Sequence, residues 1–184
     1  ADQYEEIFPF RRVVYLYLCS AFSRERIRVL DMGCGPGHYC GRFVADGHSA
    51  IGIDLDSRMI ENAKEKYPNA SFEEMDVSDL STLEAPFHLI YSIGNFMSHV
   101  DLEAFEKTIS RVKRLLAPEG CWIFQTVNWD FILGQEHYQF PVKPLSDPKT
   151  RFERAYSNIS AARVTFSTQL TQPSGVVFRE EVSL

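Results

Sequence analysis

Three glycines within five residues, Gly33-Cys34-Gly35-Pro36-Gly37, separate a continuous apolar run at 27–32 from a helical pattern at 39–46. A strand that must become a helix within that distance needs backbone conformations that side chains disfavour, and glycine supplies them. It also lets a ligand approach the backbone at a helix start, where amides point outward. Spacing narrows the ligand. A dinucleotide loop requires GxGxxG, whereas here His38 holds the third-glycine position and the last glycine comes one place early. No GK[ST] follows, so the loop is not one that wraps a triphosphate. The expectation is a nucleoside ligand held without a cradled pyrophosphate.

The rest of the chain repeats the alternation. Apolar runs at 50–53, 71–74, 87–93 and 121–127 are interleaved with helical patterns at 57–66 and 102–116. Ser57 reads as the cap of the first of these, and Pro68, Pro118 and Gly120 read as stops. Runs that are apolar throughout and separated by helices indicate a parallel sheet buried on both faces. Right-handed crossovers then give an α/β fold, a doubly wound, mostly parallel sheet with helices on both faces. The tail changes character. Trp129 opens a short helical stretch, Pro141, Pro144 and Pro148 punctuate a loop, and strands at 152–159, 163–171 and 176–183 alternate around a Pro173-Ser174-Gly175 turn as an antiparallel meander. Two regions are expected, 1–128 as the core with an N-terminal helix and 129–184 as loop and meander. A further helix and hairpin are expected beyond Leu184.

Charge and cysteine usage limit the partners. Lys and Arg number 19 against 25 Asp and Glu, a net charge of -6, so there is no basic surplus to displace counterions from nucleic acid. The four cysteines form neither a CxxC pair nor a zinc-spaced cluster, so no metal is expected and a reducing, cytoplasmic setting is. Arg11 and Arg12 precede about ten apolar residues, half the roughly twenty that span a bilayer. An amphipathic helix packed on the domain is expected there, with no membrane partner.

Two acids complete a ligand pattern. Asp54 ends the second apolar run about twenty residues after the glycine loop, where a carboxylate accepts hydrogen bonds from both ribose hydroxyls. Asp76 ends the third, placed to accept from an adenine amine. Both lie at carboxyl ends of predicted parallel strands, where open α/β sheets bind ligands.

Residues 27–37, Ile51-Gly52-Ile53-Asp54, Met75-Asp76 and Leu115-Leu116-Ala117-Pro118-Glu119-Gly120 resemble the successive motifs of class I S-adenosylmethionine-dependent methyltransferases. The resemblance covers residues 1 to about 128. It implies a Rossmann-like sheet, S-adenosylmethionine as cofactor and S-adenosylhomocysteine as product. It also implies a cofactor site at Gly33, Cys34, Gly35, Gly37, Asp54, Leu55, Met59, Asp76 and Val77. A narrower stretch, Ile93-Gly94-Asn95-Phe96-Met97-Ser98-His99, and another, Asn128-Trp129-Asp130-Phe131-Ile132-Leu133, are similar to glycine N-methyltransferases and their small-molecule relatives. That similarity implies that Ile93 and His99 flank the cofactor, that Asn95 faces the substrate, and that Asn95 and His99 are the catalytic candidates.

In the same group an N-terminal helix folds over the cofactor, which brings in Tyr4, Phe8 and Arg12. Asn128, Arg154 and Tyr156 would wall the acceptor. An arginine that grips the substrate carboxylate in glycine methyltransferases is replaced here by Val127, so glycine itself is not expected. Ser92-Ile93-Gly94-Asn95 stands where amino-methylating DNA and protein-glutamine enzymes carry NPPY or DPPY. The implied activity is direct in-line methyl transfer to a small-molecule amine, with a homodimer left open. A cofactor-binding module without turnover and a nicotinamide-dependent oxidoreductase are the alternatives, and the early Gly37 counts against the second.

Overall fold

The computed structural model describes residues 2–184, leaving aside the side chains of residues 2–4 and 144. Strands β1 (Arg28–Met32), β2 (Ser49–Asp54), β3 (Ser71–Glu74), β4 (Phe87–Ser92) and β5 (Leu116–Phe124) form a parallel sheet in the order β3-β2-β1-β4-β5. Central β1 and β4 are apolar because both of their faces are covered. Val29, Leu89 and Tyr91 pack with Tyr15 and Leu18 of α2 (Arg12–Cys19), Phe43 of α3 (His38–Ala45), and Ile60 and Ala63 of α4 (Ser57–Lys66). On the other side Leu30, Met32, Ile53 and Ile90 meet Val112 and Leu115 of α5 (Leu102–Leu115). This is the doubly wound α/β sheet the alternation predicts.

Details depart from the expected boundaries for physical reasons. Asp56, not Ser57, caps α4, its carboxylate accepting from the Arg58 amide at 2.9 Å. β5 starts at Leu116, directly after α5, and runs through Pro118 and Gly120 where the sequence suggested a stop. It is the edge strand, so a proline without an N–H is tolerated, and its pairing with β4 is irregular between Phe87 and Leu89.

The described chain groups into two compact units, residues 10–126 and residues 2–9 with 127–184. The second contains α1 (Asp2–Ile7), α6 (Trp129–Leu133), β6 (Tyr138–Gln139), β7 (Lys143–Pro144), β8 (Arg151–Ser157), β9 (Thr165–Gln172) and β10 (Gly175–Ser183). Its sheet is antiparallel in the order β10-β9-β8-β6, and β7 also pairs with β8. The two-residue strands β6 and β7 lie in the proline-rich stretch that reads as a loop.

The single N-terminal helix expected through Tyr4, Phe8 and Arg12 is two helices. Pro9 disfavours a helical Phe8 and cannot donate, so the chain breaks there and Arg12 opens α2. α1 joins the second unit: Ile7 packs with Leu145, Phe152 and Leu170, and the Phe8 ring meets Phe152 edge-on at 5.9 Å. Among the described residues no helix is long and apolar enough to cross a membrane.

Candidate functional site

In a parallel sheet the carboxyl ends of all strands share one edge, and the first unit gathers most of the expected site there. Gly33 follows β1, Asp54 ends β2, Asp76 follows β3 and Ile93 follows β4. The loop itself is closed on its own protein. Gly33 and Cys34 amides both donate to the Ile53 carbonyl at 2.9 Å, Gly37 donates to the Cys34 carbonyl at 3.0 Å, and Gly35 donates to Asp54 Oδ2 at 2.8 Å. Pro36 has no N–H. Every amide of residues 33–37 is therefore engaged, and the Cys34, Gly35 and Gly37 carbonyls each accept a bond as well, so the loop itself has no N–H left to offer.

Glycine is required at both ends of the loop. Gly33 has φ +78° and Gly37 φ +76°, and a Cβ at either would come within 2.6 Å of a ring, Phe96 at the first and Phe72 at the second.

Asp54 is half-buried and serves the loop before any ligand. Besides Gly35, it accepts from the Asp56 amide through Oδ1 at 3.0 Å. An ionised carboxylate has about four lone-pair sites. Each oxygen of Asp54 keeps acceptor capacity beyond its amide. Leu55 beside it is exposed and Met59 half-buried. Asp76 is exposed, and its Oδ1 accepts from the Ser78 amide at 2.7 Å to close a local turn, while Val77 is buried in the core beneath α5.

After β4 the chain turns through Asn95, at φ +68°, into a short 3-10 turn, Phe96–His99. Asn95 Oδ1 accepts from Ser98 Oγ at 2.7 Å and Thr126 Oγ1 at 3.1 Å, and the Gly94 amide donates to Gln125 Oε1 at 3.1 Å. The Asn95 side chain thus ties the end of β4 to the end of β5. His99 is exposed at the end of the turn.

One buried acid beside the loop was not among the expected site residues. Asp31 of β1 is 1% exposed, with Oδ2 accepting from Tyr91 Oη at 2.9 Å and from Cys40 Sγ at 3.7 Å, and Oδ1 buried without a partner. Burial pushes its carboxyl up to about 7, against the opposing pull of the Tyr91 and Cys40 hydrogen bonds. The same burial pushes the Cys40 thiol and Tyr91 hydroxyl up. Its signal was in the sequence: an acid inside an otherwise apolar strand has no solvent to face.

The expected acceptor residues fall in the second unit, Asn95 apart. Asn128 caps α6, its Oδ1 accepting from the Phe131 amide at 3.2 Å. Tyr156 is buried among Trp129, Phe140 and Phe166 at centroid distances of 5.4, 5.0 and 5.3 Å. Val127 packs against the same cluster. Arg154, two residues along β8, lies over the rings of Phe140, Phe152 and Phe8. Arg12 is exposed at the head of α2, and the side chain of Tyr4 lies outside the described residues.

A family model described as "Methyltransferase domain" matches residues 29–120. An uncharacterized methyltransferase, OB1106, of Oceanobacillus iheyensis is 30% identical over 122 residues, 66% of this chain and 55% of that protein. A trans-aconitate 2-methyltransferase of Methylobacterium nodulans is 32% identical over 102 residues, 53% of this chain and 37% of that protein. This chain therefore spans between about a third and just over half of those relatives' lengths. Among solved structures, CalS10 of Micromonospora echinaspora, an amino pentose methyltransferase with S-adenosylmethionine bound, superposes with a TM-score of 0.71 at 16% identity, covering 94% of this chain and 73% of that one. That likeness is one of fold.

Proposed function

Because this chain belongs to the methyltransferase-domain family, we propose that it transfers a methyl group from S-adenosylmethionine to a small molecule, an amine being the favoured acceptor. The observation that carries the reading is the glycine loop with every amide already bonded. A loop without N–H groups to offer suits the ammonium end of an amino acid, which its carbonyls can accept, and disfavours a pyrophosphate. The remaining lone pairs of Asp54 suit two ribose hydroxyls. Asp76, Leu55, Met59, Val77, Cys34 and Ile93 complete the cofactor side of the proposal, with Tyr4 and Arg12 assigned to cover it.

When bound, the cofactor supplies an electrophilic methyl group on a sulfonium, so the protein needs no covalent nucleophile. What remains for the chain is to hold the acceptor in line and exclude water. An amine need only arrive deprotonated, and no general base is required of His99, which is assigned to the cofactor. Asn95 is assigned to orient the acceptor, anchored by Ser98 and Thr126, and Asn128, Arg154 and Tyr156 to wall it. The similarity of 93–99 to glycine N-methyltransferases supports this arrangement, and Val127 argues against glycine as the acceptor. Four cysteines without a disulfide support a cytoplasmic setting.

A second reading is a carboxylate oxygen as acceptor. It too needs no base, and one relative is named for trans-aconitate.

Thermal shift with S-adenosylhomocysteine and with NAD tests the cofactor: stabilisation by the first alone is expected, and stabilisation by NAD alone overturns the assignment. Incubating the protein with S-adenosylmethionine and parallel panels of small amines and dicarboxylates, read by mass spectrometry, then separates the two acceptors. Cofactor binding with no product from either panel would favour a binding module without turnover.

A further inference from the structure

We propose that the guanidinium of Arg154 is an oxyanion-binding group of the second unit, built to take a carboxylate or a phosphate. Its head lies over the rings of Phe140, Phe152 and Phe8, at 4.8, 5.8 and 5.9 Å from their centroids. Three rings fix the position of one cation and attract it through their faces. They supply no hydrogen-bond acceptor. Nε is buried without a partner, and among the described residues no carboxylate, carbonyl or hydroxyl accepts from the guanidinium.

The register shows how the nearest acid in its row is kept away. Arg154 lies opposite Thr168, and Thr168 lies opposite Glu180. The Glu180 backbone stands two strands off, about 10 Å at ordinary strand spacing, and no ion pair joins its carboxylate to Arg154 among the described residues. A second cation is close instead, since Lys143 Nζ sits 4.8 Å over the Phe8 ring that Arg154 also faces. Burial has stripped water from Arg154, which lowers its pKa without approaching neutrality at ordinary pH.

A held, partly dehydrated cation with its donors unused is matched by a group with two coplanar oxygens, because guanidinium N–H groups pair with them side by side. Aromatic walls strengthen such a pair by excluding solvent. A neutral amide gains only one acceptor contact there, and a cation is repelled. The proposal needs no residue of the first unit and stands whether or not the chain transfers methyl groups.

The test uses the whole chain, labelled with 15N, with and without S-adenosylhomocysteine. The Arg154 Nε–Hε resonance is identified by its loss in Arg154→Lys. Acetate, inorganic phosphate, acetamide and chloride are titrated at constant ionic strength. A saturable shift with acetate or phosphate, absent with acetamide and chloride, is expected. The oxyanion that saturates identifies the source as carboxylate or phosphoryl. In Arg154→Lys the backbone amide of Thr168 should report at least tenfold weaker binding of the same probe. Shifts that never saturate, or a Thr168 response unchanged in Arg154→Lys, overturn the proposal and leave Arg154 as packing alone. If that variant unfolds, Arg154→Gln takes its place for both the assignment and the comparison at Thr168. Failure of S-adenosylhomocysteine to stabilise the protein would count against the methyl-transfer reading while leaving this titration intact.

Discussion

The two units bury their chains in opposite ways. In the first, β1 and β4 are sealed on both faces and the functional loop is closed within its own unit: four amides on three acceptors, the Ile53 and Cys34 carbonyls and the Asp54 carboxylate. In the second, β10 is exposed along nearly its whole length, and the groups of chemical interest are side chains laid on one face of β8. A site made of backbone is fixed by the fold, while a site made of side chains can change without disturbing it. The first unit is therefore where substitutions should destroy, and the second where they should retune.

Glycine substitutions give the widest separation. Gly37→Ala must place a Cβ 2.6 Å from the Phe72 ring at φ +76°. Left-handed strain and overpacking together cost about 3–4 kcal/mol. Gly175 also has positive φ, +121°, with nothing within 4 Å of the new Cβ, so Gly175→Ala costs only the backbone strain, about 1–3 kcal/mol, with no overpacking added. Urea denaturation of the two variants should show the larger loss at Gly37, with the S-adenosylhomocysteine shift gone there and kept at Gly175. Equal losses would mean that the loop is less closely packed than its contacts imply.

A pH series sharpens the same contrast. Asp31 is held at about 7 in the folded chain by burial, against an ordinary value of 3.8. Between those values the folded state binds a proton that the unfolded state has released, so stability falls as pH rises. The expected loss from pH 5 to pH 7 is about 2 kcal/mol, levelling off above about pH 8. Asp31→Asn has no such proton, and its stability should lack this downward slope. His48, held below its ordinary value by burial, adds an opposite slope in the same window, so the comparison is with the variant: a wild-type profile from pH 5 to pH 7 parallel to that of Asp31→Asn would show that Asp31 is ionised throughout.

How much of this could be read from residues alone follows from where each signal is stored. Apolar runs and the stop at Pro68 revealed the parallel sheet, because burial on both faces leaves a continuous hydrophobic imprint. The glycine loop was legible as a site, but the direction of its amides was not: that depends on Ile53 and Asp54, contacts made across the sheet. Asp31 was visible as an acid in an apolar strand, yet its partners Tyr91 and Cys40 come from β4 and α3. Pro9 carries the signal for a break, yet Tyr4, Phe8 and Arg12 were expected on one helix; the departure of α1 to the second unit rests on Ile7 meeting Leu145, Phe152 and Leu170. β6 and β7 are too short to leave a period. The asparagines were legible only as substrate candidates: that the side-chain oxygens of Asn95 and Asn128 also hold a turn and a helix start depends on contacts that spacing does not show.

Asp54 tests whether the loop and the ligand depend on the same carboxylate. Asp54→Ala removes the acceptor for Gly35 and for Asp56, costing about 1–3 kcal/mol and abolishing stabilisation by S-adenosylhomocysteine. Asp54→Asn keeps one acceptor oxygen for the loop but puts a donor where the other stood. It should fold closer to wild type while still losing most of the ligand shift. If Asp54→Asn binds the product as the wild type does, Asp54 supports the loop and holds no ribose.

The smallest effect is expected on β10, where Phe178 is 45% exposed on the edge strand of the second sheet. Replacing it by lysine removes a side chain that the folded chain leaves largely in water, and exposed substitutions of this kind change stability by within about 0.5 kcal/mol. A charge on an edge strand also discourages pairing with other chains, so Phe178→Lys should aggregate less on heating while its urea midpoint stays put. A loss of 2 kcal/mol or more would mean that Phe178 is covered in solution. The contrast between a sealed first unit and an open second one would then fail at its most exposed strand.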